Sequence, residues 1–268
     1  MPLPDFTNPL RAKLKGAAAG NRPAYGLWVT LDSPTVSEMA AELGVDWITI
    51  DMEHGCLDYS DVVQHLRAVK GSDTAVLVRV PATRVDTIKR VLDLGADGVL
   101  LPLIRTAEEL EEGMKYGRYP GRGVRGIGGE RSMRWSMKLQ EYLEVADRET
   151  MIIPLIETAD ASDNIESILK VDGLETIFIG PADLSSSRGY LGQWEGPGVA
   201  EDILRMVRLA GEAGISSGIM AMDNDDILAR AEQGFRMVGL ASDVGLISRQ
   251  MRPMLRDLGG RTFDNRWF

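Results

Sequence analysis

The sequence predicts an α/β protein built as a single-domain (β/α)8 TIM barrel, and three observations lead to that prediction. Eight short apolar, β-branched runs recur along the 268 residues, and segments with helical periodicity separate them. Strands that are apolar along their whole length are typical of a parallel sheet covered by helices on both faces. Eight such units in about 250 residues match the usual size of this barrel. We therefore expect one barrel domain over residues 1–268, with a short N-terminal extension at about residues 1–23.

The predicted strands and helices alternate regularly. The strands are Tyr25 to Thr30, Trp47 to Met52, Ala75 to Val80, Gly98 to Leu103, Met151 to Glu157, Thr176 to Gly180, Ile215 to Ala221 and Met237 to Ala241. The helices between them are Thr35 to Leu43, Ser60 to Val69, Val85 to Leu94, Ala107 to Tyr116, Met137 to Ala146, Ala161 to Leu169, Val199 to Ala213 and Asp225 to Gln233. An open doubly wound sheet is the alternative. It typically has a glycine-rich phosphate turn after its first strand, whereas LDSPTVSE follows Thr30 here.

The longest irregular stretch, Gly117 to Trp135, is rich in glycine and arginine. Loops of this length in compact domains are usually functional or disordered. Two interpretations stay open for it: a mobile loop that attracts anions, or a solvated connection between two helices.

Composition excludes several other classes of protein. A content of 44% hydrophobic and 26% charged residues is that of a globular chain. The single cysteine, Cys56, excludes an intramolecular disulfide and a Cys-based zinc site, so we expect a reducing, cytoplasmic location. The first residues lack the apolar core of a signal peptide and no window resembles a membrane helix, so we expect no membrane partner. A net charge of −10 argues against binding to nucleic acid.

Polar residues stand at the carboxyl ends of four predicted strands, where this fold places its catalytic groups. They come from the second, third, fifth and sixth strands and are Asp51, Glu53, His54, Arg79, Glu157 and Asp183. Each has an ordinary alternative role as a helix cap or in an ion pair. An apolar strand has little reason to carry Arg79 between two valines unless the guanidinium faces a polar site. We therefore predict that this set meets at one mouth of the barrel.

Glu157 and Asp183 are the predicted metal ligands. Two carboxylates, completed by waters or substrate oxygens, suit an octahedral ion such as Mg²⁺ or Mn²⁺ better than tetrahedral zinc. The motif GPADLS adds a candidate anion site at the start of a helix. Gly180 permits close approach, Pro181 has no N–H, and the N–H groups of Ala182 and Asp183 can face a carboxylate.

The two histidines are expected to differ in role. His54 follows a strand end, where an imidazole can exchange protons near neutral pH, and it is the preferred acid/base candidate. His65 lies in an apolar helical stripe and is interpreted as a surface or packed helix residue. Cys56 has no evident base and orienting partner, so we expect a small buried residue near the site.

The motifs DWITIDMEHG, AVLVRVP, KRVLDLGADGVLLPLIRTAEE, PLIET and IFIGPADLS resemble, in order and spacing, the HpcH/HpaI aldolase family of metal-dependent class II pyruvate aldolases. The resemblance extends from about Tyr25 to Ser248. It implies an enzyme that reversibly cleaves a 4-hydroxy-2-oxo acid to pyruvate, or a related 2-oxo acid, and an aldehyde through an enolate. The implied cofactor is a divalent cation such as Mg²⁺, Mn²⁺ or Co²⁺. A Schiff-base aldolase would need a lysine at the end of a strand, and no predicted strand ends in one.

The resemblance also implies roles for single residues. Glu157 and Asp183 would hold the metal, Arg79 would stabilise the enolate oxygen, and His54 would act as the base. Glu53 would orient the water shell of the metal. The predicted substrate-binding residues are Trp28, Asp51, Glu53, Gly180, Pro181 and Ala182. The segments Met220 to Asp223 and Ser242 to Gly245 are expected to face the aldehyde half.

Asp93 matches an aspartate that the resemblance associates with the catalytic histidine. It stands near the C-terminal end of a predicted helix, at the opposite end of the barrel and roughly 15 Å from the mouth. A contact with His54 of the same chain is therefore hard to build. We predict that Asp93 approaches the site of a neighbouring subunit in a homo-oligomer, for which the resemblance implies a hexamer.

One position departs from the pattern that the resemblance implies. A polar residue is expected where Leu155 stands, so a contact to the surroundings of the metal or to the enolate is missing.

Three other functions are alternatives to the aldolase. Decarboxylation of oxaloacetate or cleavage of a CoA ester would use the same enolate chemistry. A barrel that binds a metabolite without turnover is less favoured, because binding alone does not require an acid/base residue beside two metal ligands.

Overall fold

Eight parallel strands close into a barrel in the order in which they follow along the chain. The computed structural model describes residues 6–20 and 22–260. The strands are β1 Ala24–Val29, β2 Trp47–Asp51, β3 Ala75–Arg79, β4 Gly98–Leu101, β5 Met151–Ile156, β6 Thr176–Ile179, β7 Ser216–Met220 and β8 Met237–Ser242. This confirms the predicted (β/α)8 fold, and every strand lies within two residues of its predicted limits.

Helices cover the outside of the barrel. They are α1 Pro9–Ala18, α2 Pro34–Glu42, α3 Tyr59–Ala68, α4 Val85–Leu94, α5 Ala107–Gly117, α6 Leu139–Glu149, α7 Ala159–Asp163, α8 Ile165–Ile168, α9 Pro181–Ser187, α10 Val199–Glu212, α11 Asn224–Glu232 and α12 Asp243–Asp257. A 3-10 turn, Arg131–Met133, lies between α5 and α6. The helix predicted over residues 161–169 is two short helices, α7 and α8, because Asn164 leaves helical geometry between them. No helix in residues 6–20 and 22–260 is long and apolar enough to cross a membrane.

The interior of the barrel is a packed core below the mouth. Trp47 is fully buried there, and its indole N–H donates to the Ala24 carbonyl at 3.2 Å. A side chain on Gly26 would lie 2.0 Å from the Trp47 ring, so only glycine leaves room for the indole. Helix α1 closes the bottom, where Leu10 and Leu14 join the same apolar cluster. A cavity remains at the carboxyl ends of the strands, above this core.

Helix α12 packs differently from the helices before it. Of its residues only Asp243 and Gly245 are buried. Its apolar side chains are instead exposed by 39 to 63%, and they are Val244, Leu246, Ile247, Met251, Met254 and Leu255. A stripe of this size on a single chain is typical of a surface that packs against another molecule.

Two aspartates precede strands in the repeated sequence Leu-Gly-x-Asp, and their environments differ. Asp46 Oδ2 accepts from the Tyr25 N–H at 2.8 Å, and Asp97 Oδ2 accepts from the Val76 N–H at 2.8 Å. Burial raises the pKa of Asp97 to about 6, although the Val76 N–H and Arg131 oppose the shift. Burial acts in the same direction on Asp46, but Arg22, the Tyr25 N–H and Lys13 outweigh it and hold the pKa of Asp46 below its ordinary value.

These environments predict opposite effects of the same substitution. The unfolded chain ionises Asp97 near pH 3.8 and the folded chain near pH 6, so the charged form lowers the stability of the folded state as pH rises through that window. Asp97→Asn keeps an acceptor for Val76 and removes the charge. It should raise the free energy of unfolding at pH 7.5, relative to pH 4, by about 1 to 2 kcal/mol. The expected effect is this small because solvent reaches Asp97 from the adjoining cavity of about 480 Å³ and screens its charge.

The matched control is Asp46→Asn, since the stabilising contribution of Asp46 is present above its unfolded pKa and disappears only as pH falls through its lower folded pKa. This variant should destabilise the fold at pH 7.5. Urea unfolding of both variants at pH 4 and 7.5 measures the two effects. Equal loss of stability in the two variants at pH 7.5 would contradict the opposite pKa shifts of Asp97 and Asp46.

Candidate active site

The mouth of the barrel is organised around an ion pair between neighbouring strands. The register pairs Asp51, the last residue of β2, with Arg79, the last residue of β3. The Arg79 Nε donates to Asp51 Oδ1 at 2.9 Å, and its Nη2 donates to Asp51 Oδ2. Both side chains are buried. Two parallel hydrogen bonds of this kind fix the plane of the guanidinium as well as its position.

Three further donors hold the Asp51 carboxylate. The indole N–H of Trp28 donates to Oδ2 at 3.0 Å, and the backbone N–H groups of Glu53 and His54 donate to Oδ1 at 3.0 and 3.1 Å. Burial alone would raise the pKa of Asp51, but the hydrogen bonds and charge of Arg79, with Trp28 and the His54 N–H, lower it below its ordinary value. Asp51 is therefore an anion that positions β1, β3 and the turn carrying His54.

Arg79 is held on two more sides. Its Nη1 lies 3.0 Å from Glu53 Oε2, and its guanidinium carbon lies 5.0 Å from the centre of the Trp28 ring. Burial raises the pKa of Glu53 above its ordinary value, although Arg79 and His54 oppose the shift. The guanidinium thus faces the cavity with its orientation set by Asp51, Glu53 and Trp28.

Glu157 lies across the mouth, directly after β5. Its Oε1 accepts from the Leu103 N–H at 2.7 Å, and Leu103 has a φ of +55°, which is uncommon for a residue with a side chain. A Cβ on Gly180 would lie 2.9 Å from Glu157 Cβ and 3.2 Å from Oε2, so glycine leaves space for this carboxylate. Burial raises the pKa of Glu157 to about 7, and the charges of Asp183 and Glu53 act in the same direction.

One cavity of about 430 Å³ brings most of the predicted residues together. Its lining includes the predicted catalytic pair His54 and Arg79 and the predicted metal ligands Glu157 and Asp183. Of the predicted substrate-binding residues it includes Trp28, Asp51, Gly180, Pro181 and Ala182, whereas Glu53 reaches the site through Arg79. Leu155 and Phe178 form an apolar part of the wall next to Trp28.

Cys56 and the two histidines differ in how far they are exposed to solvent. The prediction that Cys56 is buried is wrong: the thiol is free and exposed, because the turn after β2 lies on the surface. The side chain of His54 in the same turn is exposed at the edge of the cavity. Of the two alternatives left open for His65, the structure shows the packed one: the side chain is buried, with its Nδ1 2.7 Å from Ser37 Oγ.

Asp93 lies outside this cavity and has a partner in its own chain. Its Oδ1 accepts from Arg125 Nη2 at 2.8 Å. Arg125 is fully buried, with its guanidinium carbon 4.7 Å from the Tyr119 ring centre and 5.6 Å from that of Tyr142. Arg118, in the same long loop, is also buried. At least two arginines of the 117–135 loop are therefore packing groups instead of free anion-attracting ones.

Arg249 and Trp194 also line the cavity, although no sequence pattern predicted them there. Arg249 lies on α12, a helix that follows the last predicted strand and for which no prediction was made. Trp194 lies in the connection between α9 and α10. No strand-end motif marks either residue.

The carboxylates fit a divalent ion through the chemistry of their donors. Within the described residues, no group of three or more His, Cys, Asp or Glu side chains is arranged to hold a metal. Glu157 and Asp183 nevertheless line the same cavity with oxygen donors only, and their mutual repulsion contributes to the raised pKa of Glu157. Such a pair suits a hard cation that takes its remaining ligands from water or substrate.

Comparison with known proteins agrees with this geometry. Residues 24–249 match the HpcH/HpaI aldolase/citrate lyase family. The chain belongs to this family. The chain is therefore a carbon–carbon lyase of the aldolase type, as the resemblance implied.

Three relatives illustrate the similarity across nearly the whole chain. It is 36% identical to a hydroxypyruvate/pyruvate aldolase from Paraburkholderia phytofirmans, covering 94% of this chain and 98% of the relative. It is 34% identical to a 5-keto-4-deoxy-D-glucarate aldolase from Shigella boydii, covering 91% and 93%. A crystal structure of a family member from Burkholderia cenocepacia superposes with a TM-score of 0.86 at 32% identity, covering 93% and 99%.

The Asp51 network predicts a stability effect that does not depend on the reaction. Asp51→Asn leaves Arg79 buried without its full countercharge, so it should lower the free energy of unfolding by about 3 to 5 kcal/mol. The exposed pair between Asp86 and Arg84 supplies the control, because Asp86→Asn should leave the free energy of unfolding nearly unchanged. Urea unfolding followed by tryptophan fluorescence measures both. Equal effects of the two substitutions would contradict the role given to Asp51.

Proposed function

We propose that the chain is a divalent-metal-dependent aldolase. It reversibly cleaves a 4-hydroxy-2-oxo acid to pyruvate, or a related 2-oxo acid, and an aldehyde. The observation that carries this proposal is the juxtaposition of a fixed guanidinium, Arg79, with two carboxylates, Glu157 and Asp183, in one cavity with His54 at its edge. The names of the two aldolase relatives support the same class of substrate.

Glu157 and Asp183 would hold the cation, which we propose is Mg²⁺, Mn²⁺ or Co²⁺. When bound, such a cation supplies Lewis-acid polarisation of the 2-oxo group. The carboxylate of the substrate would lie against Gly180, Pro181 and Ala182, where α9 begins. Trp28 would pack beside the bound 2-oxo acid.

Arg79 would stabilise the enolate, and His54 would transfer the proton. Arg79 donates to the oxygen that gains negative charge as the enolate forms, and its bonds to Asp51 keep it in place before substrate arrives. His54 accepts the proton of the 4-hydroxyl through a water molecule. The C3–C4 bond then breaks, its electron pair forms the enolate, and C4 leaves as the aldehyde carbon. Glu53 steadies Arg79 and orients nearby water.

We propose that the enzyme works as a homo-oligomer in the cytoplasm. The exposed apolar stripe of α12 supports association, and the resemblance implies a hexamer. Asp93 would then approach His54 of a neighbouring subunit, while Arg125 fixes its carboxylate from within its own chain. The exposed thiol of Cys56 is compatible with a reducing compartment.

Removal of divalent cations should abolish turnover. Excess EDTA should reduce the cleavage rate to background, and Mg²⁺, Mn²⁺ or Co²⁺ should restore it. Calorimetric titration of Mn²⁺ should show binding that Glu157→Gln weakens by at least about tenfold. Full activity in EDTA would contradict the metal-dependent mechanism.

Substitution of His54 should remove proton transfer while leaving the metal site intact. His54→Ala should lower the turnover number by about two to four orders of magnitude, the usual contribution of general acid/base catalysis. Cys56→Ala, two residues further along the same exposed turn, is the matched control and should leave it unchanged. Steady-state cleavage assays and Mn²⁺ titration test both variants. Normal turnover of His54→Ala would make this histidine a structural residue.

Mixing of two inactive variants tests the role of Asp93 between subunits. His54→Ala and Asp93→Ala subunits, combined by mild dissociation and reassociation, should regenerate part of the activity because some mixed sites then hold both intact residues. Each variant treated alone is the control. A stable, fully active monomer in sedimentation equilibrium, or no recovery in proven mixed oligomers, would contradict the shared site.

A further inference from the structure

A second cavity, of about 480 Å³, lies at the amino ends of β4 and β5, at the opposite end of the barrel from the catalytic cavity. Its lining includes Asp97, which precedes β4, and Thr150, which precedes β5. Residues of helix α6 and of the 3-10 turn form its sides. A volume of this size is typical of sites for small organic molecules.

Asp97 lacks the countercharge that the equivalent aspartate has. Asp46 and Asp97 hold the same place in the repeated Leu-Gly-x-Asp sequence, and each accepts from a backbone N–H of a strand. Arg22 donates to the two oxygens of Asp46 at 2.5 and 3.1 Å, and Lys13 Nζ lies 3.2 Å from its Oδ1. In residues 6–20 and 22–260, no lysine or arginine forms such a pair with Asp97. Asp97 borders the second cavity instead.

A buried hydroxyl in the same wall also has no partner. Ser132 is 7% exposed, and within the described part of the chain its Oγ makes no hydrogen bond. Ser132 is close to the segment that carries Asp97, because a Cβ on Gly95 would lie 3.8 Å from the Ser132 Cα. Buried polar groups are nearly always hydrogen-bonded. A hydroxyl oxygen near a carboxylate therefore suits a ligand group with several N–H donors, such as an ammonium.

Aromatic rings form another part of the wall. Phe6, Tyr142 and Trp135 line the cavity, and the indole of Trp135 is 62% exposed. The rings of Phe6 and Tyr142 pack edge to face with their centres 5.3 Å apart. Aromatic faces attract cations within about 6 Å, and the guanidinium carbon of Arg134 already lies 5.3 Å from the Phe6 ring centre. Such a wall favours an organic cation over a metal ion.

The cationic side chains in the wall do not neutralise Asp97. Arg131 donates to the Leu94 carbonyl at 2.8 Å and to the Leu66 carbonyl at 3.3 Å, so it is held at the last turns of α4 and α3. Its charge opposes the raised pKa of Asp97 only from a distance. Lys70 is exposed, and water screens its charge.

We propose that this cavity binds an organic cation that carries a primary ammonium on a small aromatic or aliphatic body. Asp97 and Ser132 Oγ would accept from the ammonium, and Trp135 and Tyr142 would cover the body. The ligand would give Asp97 the countercharge that Arg22 and Lys13 give Asp46. The site is independent of the proposed aldolase function, since the two cavities share no lining residue.

The test uses benzylamine, which is protonated between pH 5 and pH 7.5, and benzyl alcohol as its uncharged counterpart. Calorimetric titration of the whole chain at pH 7.5 should show one benzylamine site, with benzyl alcohol bound at least about tenfold more weakly. The pKa of Asp97 is raised to about 6, so its carboxylate is mostly protonated at pH 5. The affinity for benzylamine should therefore fall about tenfold from pH 7.5 to pH 5.

The other charged groups around the cavity do not produce this pH dependence. They are Lys70 after α3, Arg131 in the 3-10 turn, Arg134 after it and Glu149 in α6. Lysine and arginine side chains do not titrate in this range. Burial acts to raise the pKa of Glu149, but hydrogen bonds from Arg148 and the Asn8 N–H hold it below its ordinary value, so Glu149 stays ionised.

Substitutions locate the site. Asp97→Asn, which we expect to fold because it removes a destabilising charge, should weaken benzylamine binding at least about tenfold and abolish its pH dependence. Trp135→Ala should weaken it about two- to fivefold. Asp172→Asn, at a carboxylate with a 98% exposed side chain, is the control and should bind as wild type does.

Four outcomes would overturn the proposal. Three of them are equal binding of benzyl alcohol, an affinity that does not change with pH, and undiminished binding in Asp97→Asn. The fourth is the absence of benzylamine binding to wild type, which is expected if a side chain from a second copy of the chain fills the cavity.

Discussion

The buried pair between Asp51 and Arg79 is the interaction on which the arrangement of the barrel mouth depends. A buried arginine on a strand end is unfavourable by itself, since it must leave water. Asp51 compensates with two bonds to the guanidinium and also collects the Trp28 N–H and the backbone N–H groups of the turn that carries His54. One carboxylate therefore fixes side chains from three consecutive strands relative to each other.

The opposite side of the mouth has the reverse electrostatic character. Asp51 is stabilised as an anion, whereas Glu157 is buried near Asp183 and Glu53, and its pKa rises to about 7. A cation relieves repulsion of this kind, so the divalent ion that we propose would lie on this side of the cavity, apart from the guanidinium that Asp51 holds. Leu155, where the resemblance implied a polar residue, belongs to the apolar part of the cavity wall with Trp28 and Phe178.

The fold and most of the site could be predicted from the sequence because both follow from local patterns. Apolar strands in a closed parallel barrel have a distinctive composition, and all their carboxyl ends meet at one mouth, so His54, Arg79, Glu157 and Asp183 could be grouped before any distance was known. Other features depend on contacts that sequence spacing does not encode. Arg125 meets Asp93 across 32 residues, and Arg249 enters the cavity from a helix beyond the last predicted strand. The exposure of Cys56 follows from the path of a turn, which its residue type alone does not predict.

The role of Arg79 in enolate formation can be tested through the rate at which pyruvate exchanges its methyl protons with D₂O, followed by proton NMR in the presence of Mn²⁺-loaded enzyme. This reaction requires an enolate but neither an aldehyde nor a 4-hydroxyl group. If the oriented guanidinium stabilises the enolate, Arg79→Lys should slow exchange by about 10- to 1,000-fold, because a single ammonium cannot reproduce the fork held by Asp51. Arg230→Lys, at another buried arginine paired with Glu195 and Asp226, should exchange at the wild-type rate. Unchanged exchange in a folded Arg79→Lys variant would show that the oriented guanidinium does not stabilise the enolate.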